Sequence, residues 1–148
     1  MNISSFLSPV NVVIDLPARD KAGLLNDLAA RAAPALGMSL ARLAGEIAKR
    51  DELGSTGIGG GVCIPHARFR DVGTSFGFFA RLSKPVAFDA IDGQPVDLAF
   101  LLVLPAASQL EQLNVLACVA RKLREPDLLR RLREADSAGA LYRIVTER

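Results

Sequence analysis

The run 96–104, Val-Asp-Leu-Ala-Phe-Leu-Leu-Val-Leu, constrains this chain more than any other stretch, because Asp97 alone interrupts its apolar character. A strand of that composition has no face to give to water, so both of its sides need cover. It is too short for a membrane helix, which takes roughly 20 apolar residues. Pro105 ends it, and Asp92-Gly93 ahead of it is a strong turn signal. The pattern predicts a hairpin in which residues 86–90 pair with residues 96–104.

Helices are the available cover, and periodicity supplies them on both sides of the run. Between Asp20 and about Ala33 the apolar residues Leu24, Leu25, Leu28, Ala29 and Ala32 recur at helical spacing, with Pro34 and Gly37 as stop signals. Ser39 is a suitable N-cap for a second helix in which Leu40, Leu43 and Ile47 share a face, ending near Asp51. Arg50 then sits at its C-terminal end, facing the glycine-rich stretch that follows. After Pro105, Leu110, Leu113, Leu116, Ala117, Ala120 and Leu123 predict a long helix that Pro126 interrupts. Residues 127–134 form a shorter helix, and Ser137 caps a last one that turns Leu141, Ile144 and Val145 inward. Strands are expected at 10–14, closed by Pro17, and at 74–82, where Phe76, Phe78 and Leu82 share a side. Val62, Cys63 and Ile64 read as a short buried strand that Pro65 stops, with a polar loop over 68–73. The expected architecture is α/β, a mixed β-sheet flanked by helices on both faces, in one domain spanning 1–148.

Composition narrows the function classes. A chain of 148 residues with half its residues hydrophobic and 23% charged is a globular one that can bury about two-thirds of its unfolded surface. A net charge of +2 is too small to argue for nucleic acid. Arg121, Lys122, Arg124, Arg130, Arg131 and Arg133 cluster, but Glu125, Asp127 and Glu134 interrupt them, which describes a solvated helical face. The two cysteines, Cys63 and Cys118, give neither a disulfide framework nor a zinc pattern, and a reducing cytoplasm fits them. No basic segment leads an apolar core at the N-terminus, so neither a signal peptide nor a membrane anchor is expected.

The chemistry concentrates between Arg50 and Arg68, where a glycine-rich run leads to the single histidine, His66. Gly54, Gly57, Gly59, Gly60 and Gly61 permit positive φ and can turn successive N–H groups toward one point, a geometry that suits an anion. Ser55 and Thr56 add hydroxyl donors. The run is not a P-loop, since Val62 and not lysine follows Gly61, and its glycines precede a strand where a dinucleotide fingerprint needs a helix. Two readings remain open on spacing alone: a phosphate-sized anion held beside one imidazole, or a flexible glycine turn beside a partly exposed histidine. Nothing in the sequence points to a Ser-His-Asp convergence, and a metal site is weaker still. A lone imidazole is nevertheless largely neutral at cytoplasmic pH and able to attack phosphorus.

Gly-Ser-Thr-Gly-Ile-Gly followed by Ile-Pro-His resembles the active-site motif of the fructose- and mannitol-type enzyme IIA domains of the bacterial phosphoenolpyruvate-dependent phosphotransferase system. The stretch from Pro85 through Phe88, Asp89, Ala90, Ile91, Asp92 and Gly93 to Pro105 resembles the nitrogen-regulatory branch more than the sugar-specific one. Cys63 stands where that family usually has alanine. The resemblance implies the same α/β fold and a phosphocarrier that takes a phosphoryl group on His66 from an HPr-like protein and controls regulatory target proteins. It also implies that Arg50 matches the family arginine beside the site, and that Ser55, Thr56 and Gly57 belong to the phosphate-binding loop. Many members carry a second histidine on the helix after the strand that Pro105 ends, and Gln112 occupies that place here. No cofactor, nucleic acid or membrane is implied. An interaction module without phosphotransfer and a sugar-specific enzyme IIA are the alternatives.

Overall fold

In the computed structural model, which describes Met1–Arg148, the apolar run lies at the centre of a six-stranded mixed sheet. The strands are β1 (Val12–Leu16), β2 (Gly57–Gly59), β3 (Val62–Cys63), β4 (His66–Phe69), β5 (Phe76–Val86) and β6 (Val96–Pro105). Their order is β1-β5-β6-β3-β2, and β4 pairs with β6 beyond β3 on the same side. Five helices complete the chain: α1 (Lys21–Leu36), α2 (Leu40–Glu52), α3 (Gln109–Lys122), α4 (Pro126–Glu134) and α5 (Ala138–Val145).

The expected cover of β6 on both faces follows from side-chain alternation along the strand. Ala99, Leu101 and Val103 join one core with Leu24, Leu28, Leu43 and Ile47 of α1 and α2. Leu98, Phe100, Leu102 and Leu104 join the other with Val115, Val119, Leu132 and Leu141 of α3, α4 and α5. Phe100 stacks on Phe79 at 5.3 Å between centroids and meets Phe6 edge-on at 6.2 Å. Fully burying side chains of this size contributes about 1.5–3 kcal/mol each, so this strand anchors the fold.

Several predicted boundaries move, each for a local reason. Pro34 does not stop α1, which runs on to Leu36 and is closed by Gly37 at φ 62°, whose N–H reaches the carbonyls of Ala33 and Pro34. So near the end, the proline forfeits a single hydrogen bond, the one to the exposed Ala30. The first strand begins at Val12 because Pro9–Asn11 forms a 3₁₀ turn. Residues 74–82 and 86–90 are not two strands: β5 is one strand through Pro85, and the hairpin to β6 closes through the longer loop 87–95. Pro85 is tolerated because it falls where the β5–β6 ladder slips, between Arg81 and Val86. The basic residues of α4 are paired with acids, Arg130 with Asp127 and Glu134 of the same helix, Arg131 with Glu147 near the C-terminus and Arg133 with Asp97 of β6. No helix is long and apolar enough to cross a membrane.

Candidate active site

The glycine-rich run folds as a hairpin. Gly57–Gly59 and Val62–Cys63 pair antiparallel, and Gly60 and Gly61 turn between them at φ 66° and 79°, the backbone that a two-residue hairpin turn requires. Gly54 and Gly57 do not adopt positive φ, contrary to expectation. Gly57 is needed instead for closeness, since a Cβ there would lie 2.8 Å from the Ala90 Cβ. The amides of this run also do not converge on one empty point. Thr56 N–H goes to Asp51 Oδ1 at 3.0 Å, Gly57 N–H to Ser55 Oγ at 3.1 Å and Gly60 N–H to Asp92 Oδ2 at 3.0 Å. The run thus forms a hairpin in which the N–H groups of Thr56, Gly57 and Gly60 are bonded within the protein.

Beyond it, Pro65 breaks the strand beside β6 into β3 and β4. Lacking an N–H, Pro65 donates nothing, but its carbonyl accepts from Leu102 N–H at 2.9 Å and keeps the chain on the sheet. His66 therefore opens a strand, paired with Leu102, where it had been expected to stand at a strand's end, and Arg68 lies on that strand and not in a loop. The two-residue alternation puts both on the side of the sheet that α3 covers.

His66 is half-buried, and its Nδ1 lies 2.9 Å from the Ile64 carbonyl. A carbonyl can only accept, so the proton sits on Nδ1 and the lone pair of the neutral ring on Nε2. Burial pulls the imidazole below its ordinary 6.5, and the Arg50 and Arg68 cations add to that, against the opposing pull of the Ile64 carbonyl and Asp51. The ring is consequently neutral at pH 7, with its Nε2 lone pair unprotonated.

A cavity of about 610 Å³ opens at this point between the end of α2 and the start of α3. Its walls bring together His66, Arg50, Arg68 and Lys49, with Gln112 and Leu113 from α3 and Leu53 beyond α2. Arg50 is the predicted residue at the C-terminal turn of α2, its Nη1 donating to Gly54 O at 2.9 Å, where a cation also complements the helix end. Gln112 is buried, and its Nε2 donates to Pro105 O at 3.0 Å and Ala106 O at 3.4 Å, closing the end of β6. Ser55, Thr56 and Gly57 are not among the cavity's lining residues. Ser55 Oγ donates to Phe88 O at 2.9 Å and Thr56 Oγ1 to Asp51 Oδ1 at 3.0 Å. Sequence reading did not single out Arg68 or Lys49, which also line the cavity, Lys49 lying 3.6 Å from Glu46 on the same wall. The period-2 placement of Arg68 after His66 would have shown the first, had His66 been read as opening a strand.

The phosphotransferase family described as "Phosphoenolpyruvate-dependent sugar phosphotransferase system, EIIA 2" matches residues 5–148. The chain belongs to that family. A nitrogen regulatory protein of Bradyrhizobium diazoefficiens is 37% identical over 145 residues, covering 98% of this chain and 95% of the relative. One from Klebsiella oxytoca is 38% identical over 148 residues, covering 99% and 91%. The crystal structure of nitrogen regulatory protein IIA-Ntr from Neisseria meningitidis superimposes with a TM-score of 0.92 at 34% identity, covering 97% of this chain and 99% of that one. These likenesses bear out the fold and the nitrogen-regulatory branch of the enzyme IIA family.

Proposed function

We propose that this enzyme IIA protein is a phosphocarrier that accepts a phosphoryl group on Nε2 of His66 from the phosphohistidine of an HPr-like carrier, and that its phosphorylation state controls regulatory target proteins. The observation that carries the reading is the commitment of Nδ1–H to Ile64 O, which leaves Nε2 as the nitrogen free to meet a ligand from the cavity. In the transfer, the Nε2 lone pair forms the new P–N bond as the donor's P–N bond breaks, and that electron pair returns to the donor nitrogen. The Nδ1 proton stays where it is. Arg50 and Arg68 supply cations for the charge on the transferring group. Ser55, Thr56 and Gly57 serve the phosphate site by holding the hairpin, and Gln112 by closing the end of β6. Leu53 and Leu113 stand 86% and 59% exposed on the cavity rim, which suits a protein donor better than a small molecule.

Incubation with phosphoenolpyruvate, enzyme I and an HPr-like carrier should add one acid-labile phosphate, followed by mass. His66→Ala should abolish it with the fold intact. Label retained in that variant removes His66 as the acceptor. A second reading, an interaction module without phosphotransfer, draws on Gln112, whose amide is spent on backbone carbonyls at the place where the family resemblance implies a second histidine. Absence of label in the wild type favours that reading.

A further inference from the structure

Asp51, Thr56 and Gln112 are the buried polar side chains of this protein, and Asp51 alone among them is charged. Burying a carboxylate is costly and a buried ion pair brings little net stability, so its place calls for another account. Its partners supply one. Asp51 Oδ2 is paired with Lys21 Nζ at the start of α1, and Oδ1 accepts both donors of Thr56, N–H and Oγ1, at 3.0 Å each. Thr56 passes the restraint on, its carbonyl accepting from Ile64 N–H at 2.9 Å. The Ile64 carbonyl in turn takes the His66 Nδ1 proton at 2.9 Å. Lys21 is itself held from a third direction, lying 3.7 Å from Asp89 and 4.7 Å above the Phe88 ring.

From this chain of contacts we infer that Asp51, clamped by Lys21, is a positioning residue for His66, fixing the tautomer and orientation of the imidazole through Thr56 and Ile64. Arg50 precedes Asp51 on the last turn of α2, and adjacent helical residues point about 100° apart. One helix end therefore aims a guanidinium into the cavity and a carboxylate behind the hairpin, and the spacing between Arg50 and His66 is set by that single turn. Asp51 touches neither the reacting nitrogen nor the cavity wall. It acts through Thr56.

The inference rests on His66 being the working residue, but its test does not need phosphotransfer. His66 is the single histidine, so ¹⁵N labelling of histidine gives one pair of imidazole signals whose shifts report which nitrogen carries the proton. At about pH 8, where the ring is neutral, the wild type should show the Nδ1–H tautomer. Asp51→Ala and Thr56→Val should each shift population toward Nε2–H, and Thr56→Ser, which keeps the hydroxyl, should restore the wild-type shifts. Where transfer is measured, the first two variants should slow it about 10- to 100-fold, the scale of a small misplacement of a reacting group. If Asp51→Ala fails to fold, Thr56→Val and Thr56→Ser decide. Wild-type imidazole shifts in folded Thr56→Val overturn the inference, as do equal shifts and rates in Thr56→Val and Thr56→Ser. A wild type that shows the Nδ1–H tautomer and its loss in Thr56→Val, yet takes no phosphate, would refute the phosphocarrier reading and leave the positioning role standing.

Discussion

The centre of the sheet and the corner where β3 gives way to β4 are built on opposite plans. Every residue from Leu98 to Leu104 is apolar and at most 1% exposed, and these side chains touch other apolar side chains on both faces. At the corner the buried polar residues gather, Asp51 and Thr56 behind the hairpin and Gln112 at the end of β6; Asp51 and Gln112 each bond backbone directly, and the Thr56 hydroxyl donates to Asp51. Apolar burial is non-directional and roughly proportional to area, so the centre determines how stable the protein is. Hydrogen bonds add only about 0.5–1.5 kcal/mol net but demand geometry, so the corner determines where His66 stands.

The sharpest way to break this division is to injure the centre and ask whether the corner notices. Phe100→Ala removes a ring that stacks on Phe79 and meets Phe6, and should cost about 3–5 kcal/mol in urea unfolding. Molecules that remain folded should still take phosphate on His66. A loss below about 1 kcal/mol would deny the centre its role. Loss of label in the folded fraction would show the two regions to be coupled.

Gly57→Ala attacks the seam between them. Its Cβ would sit 2.8 Å from the Ala90 Cβ and 2.9 Å from the Ala90 Cα, so the hairpin or the loop 87–95 must shift, at about 1–3 kcal/mol. Adding Ala90→Gly removes the Cβ half of that clash and should recover part of the loss. Equal stability in the single and double variants would mean that the contact with the Ala90 Cα at 2.9 Å, and not that with its Cβ, sets the cost.

The same division explains what could be read from the sequence. The centre was legible because a strand without polar residues has one physical solution, and the helices over it repeat at 3.6 residues. The Ser39 cap shows the same legibility, its Oγ accepting from Arg42 N–H at 3.2 Å. The corner was legible in its residue types and not in its geometry. Gly-Ile-Gly carries no alternation, so β2 left no trace, and of the two readings the glycines left open, an anion site or a glycine turn, the sequence could not show that Gly60 and Gly61 make a two-residue hairpin turn. Pro65 was read as the end of a strand because the sequence cannot show that its carbonyl still bonds Leu102. Arg50 and His66 were found as residues; that α3 brings Gln112 to the same cavity rested on the resemblance, since contacts between distant segments leave no local pattern.

A smaller perturbation separates placement from stability inside the corner. Arg50→Ala should lower stability by only about 0.3–1 kcal/mol, the worth of a cation at a helix C-terminus. Transfer from the HPr-like carrier should slow far more than that suggests, because the cavity that His66 lines loses a guanidinium. Unchanged transfer rates would return Arg50 to a solvated helix end and leave Arg68 and Lys49 as the cations of the site.

The smallest effect concerns protons, and it tests whether the corner is dry. His66 is held below its ordinary 6.5 by burial first and then by Arg50 and Arg68. Between the folded and unfolded values the unfolded chain binds more protons, so stability rises with pH across that window. The contribution is fully present above about 6.5 and is lost as pH falls from there toward the folded value. Carboxylates act lower down. Asp71 is held below its ordinary 3.8 by Arg42, Asp92 by Gly60 N–H and Asp127 by Arg130, and Glu147 below 4.5 by Arg131, so their stabilisation is lost as pH falls from about 4.5 downward through their lowered values. Urea unfolding at steps from about pH 8 to 5 therefore isolates the imidazole. The wild type should lose stability toward the acid end with a slope of at most one proton, and His66→Gln, which cannot titrate, should be flat by comparison. Parallel profiles would mean that the imidazole titrates as it does in water, and the lowering of the His66 pKa by burial would have to be given up.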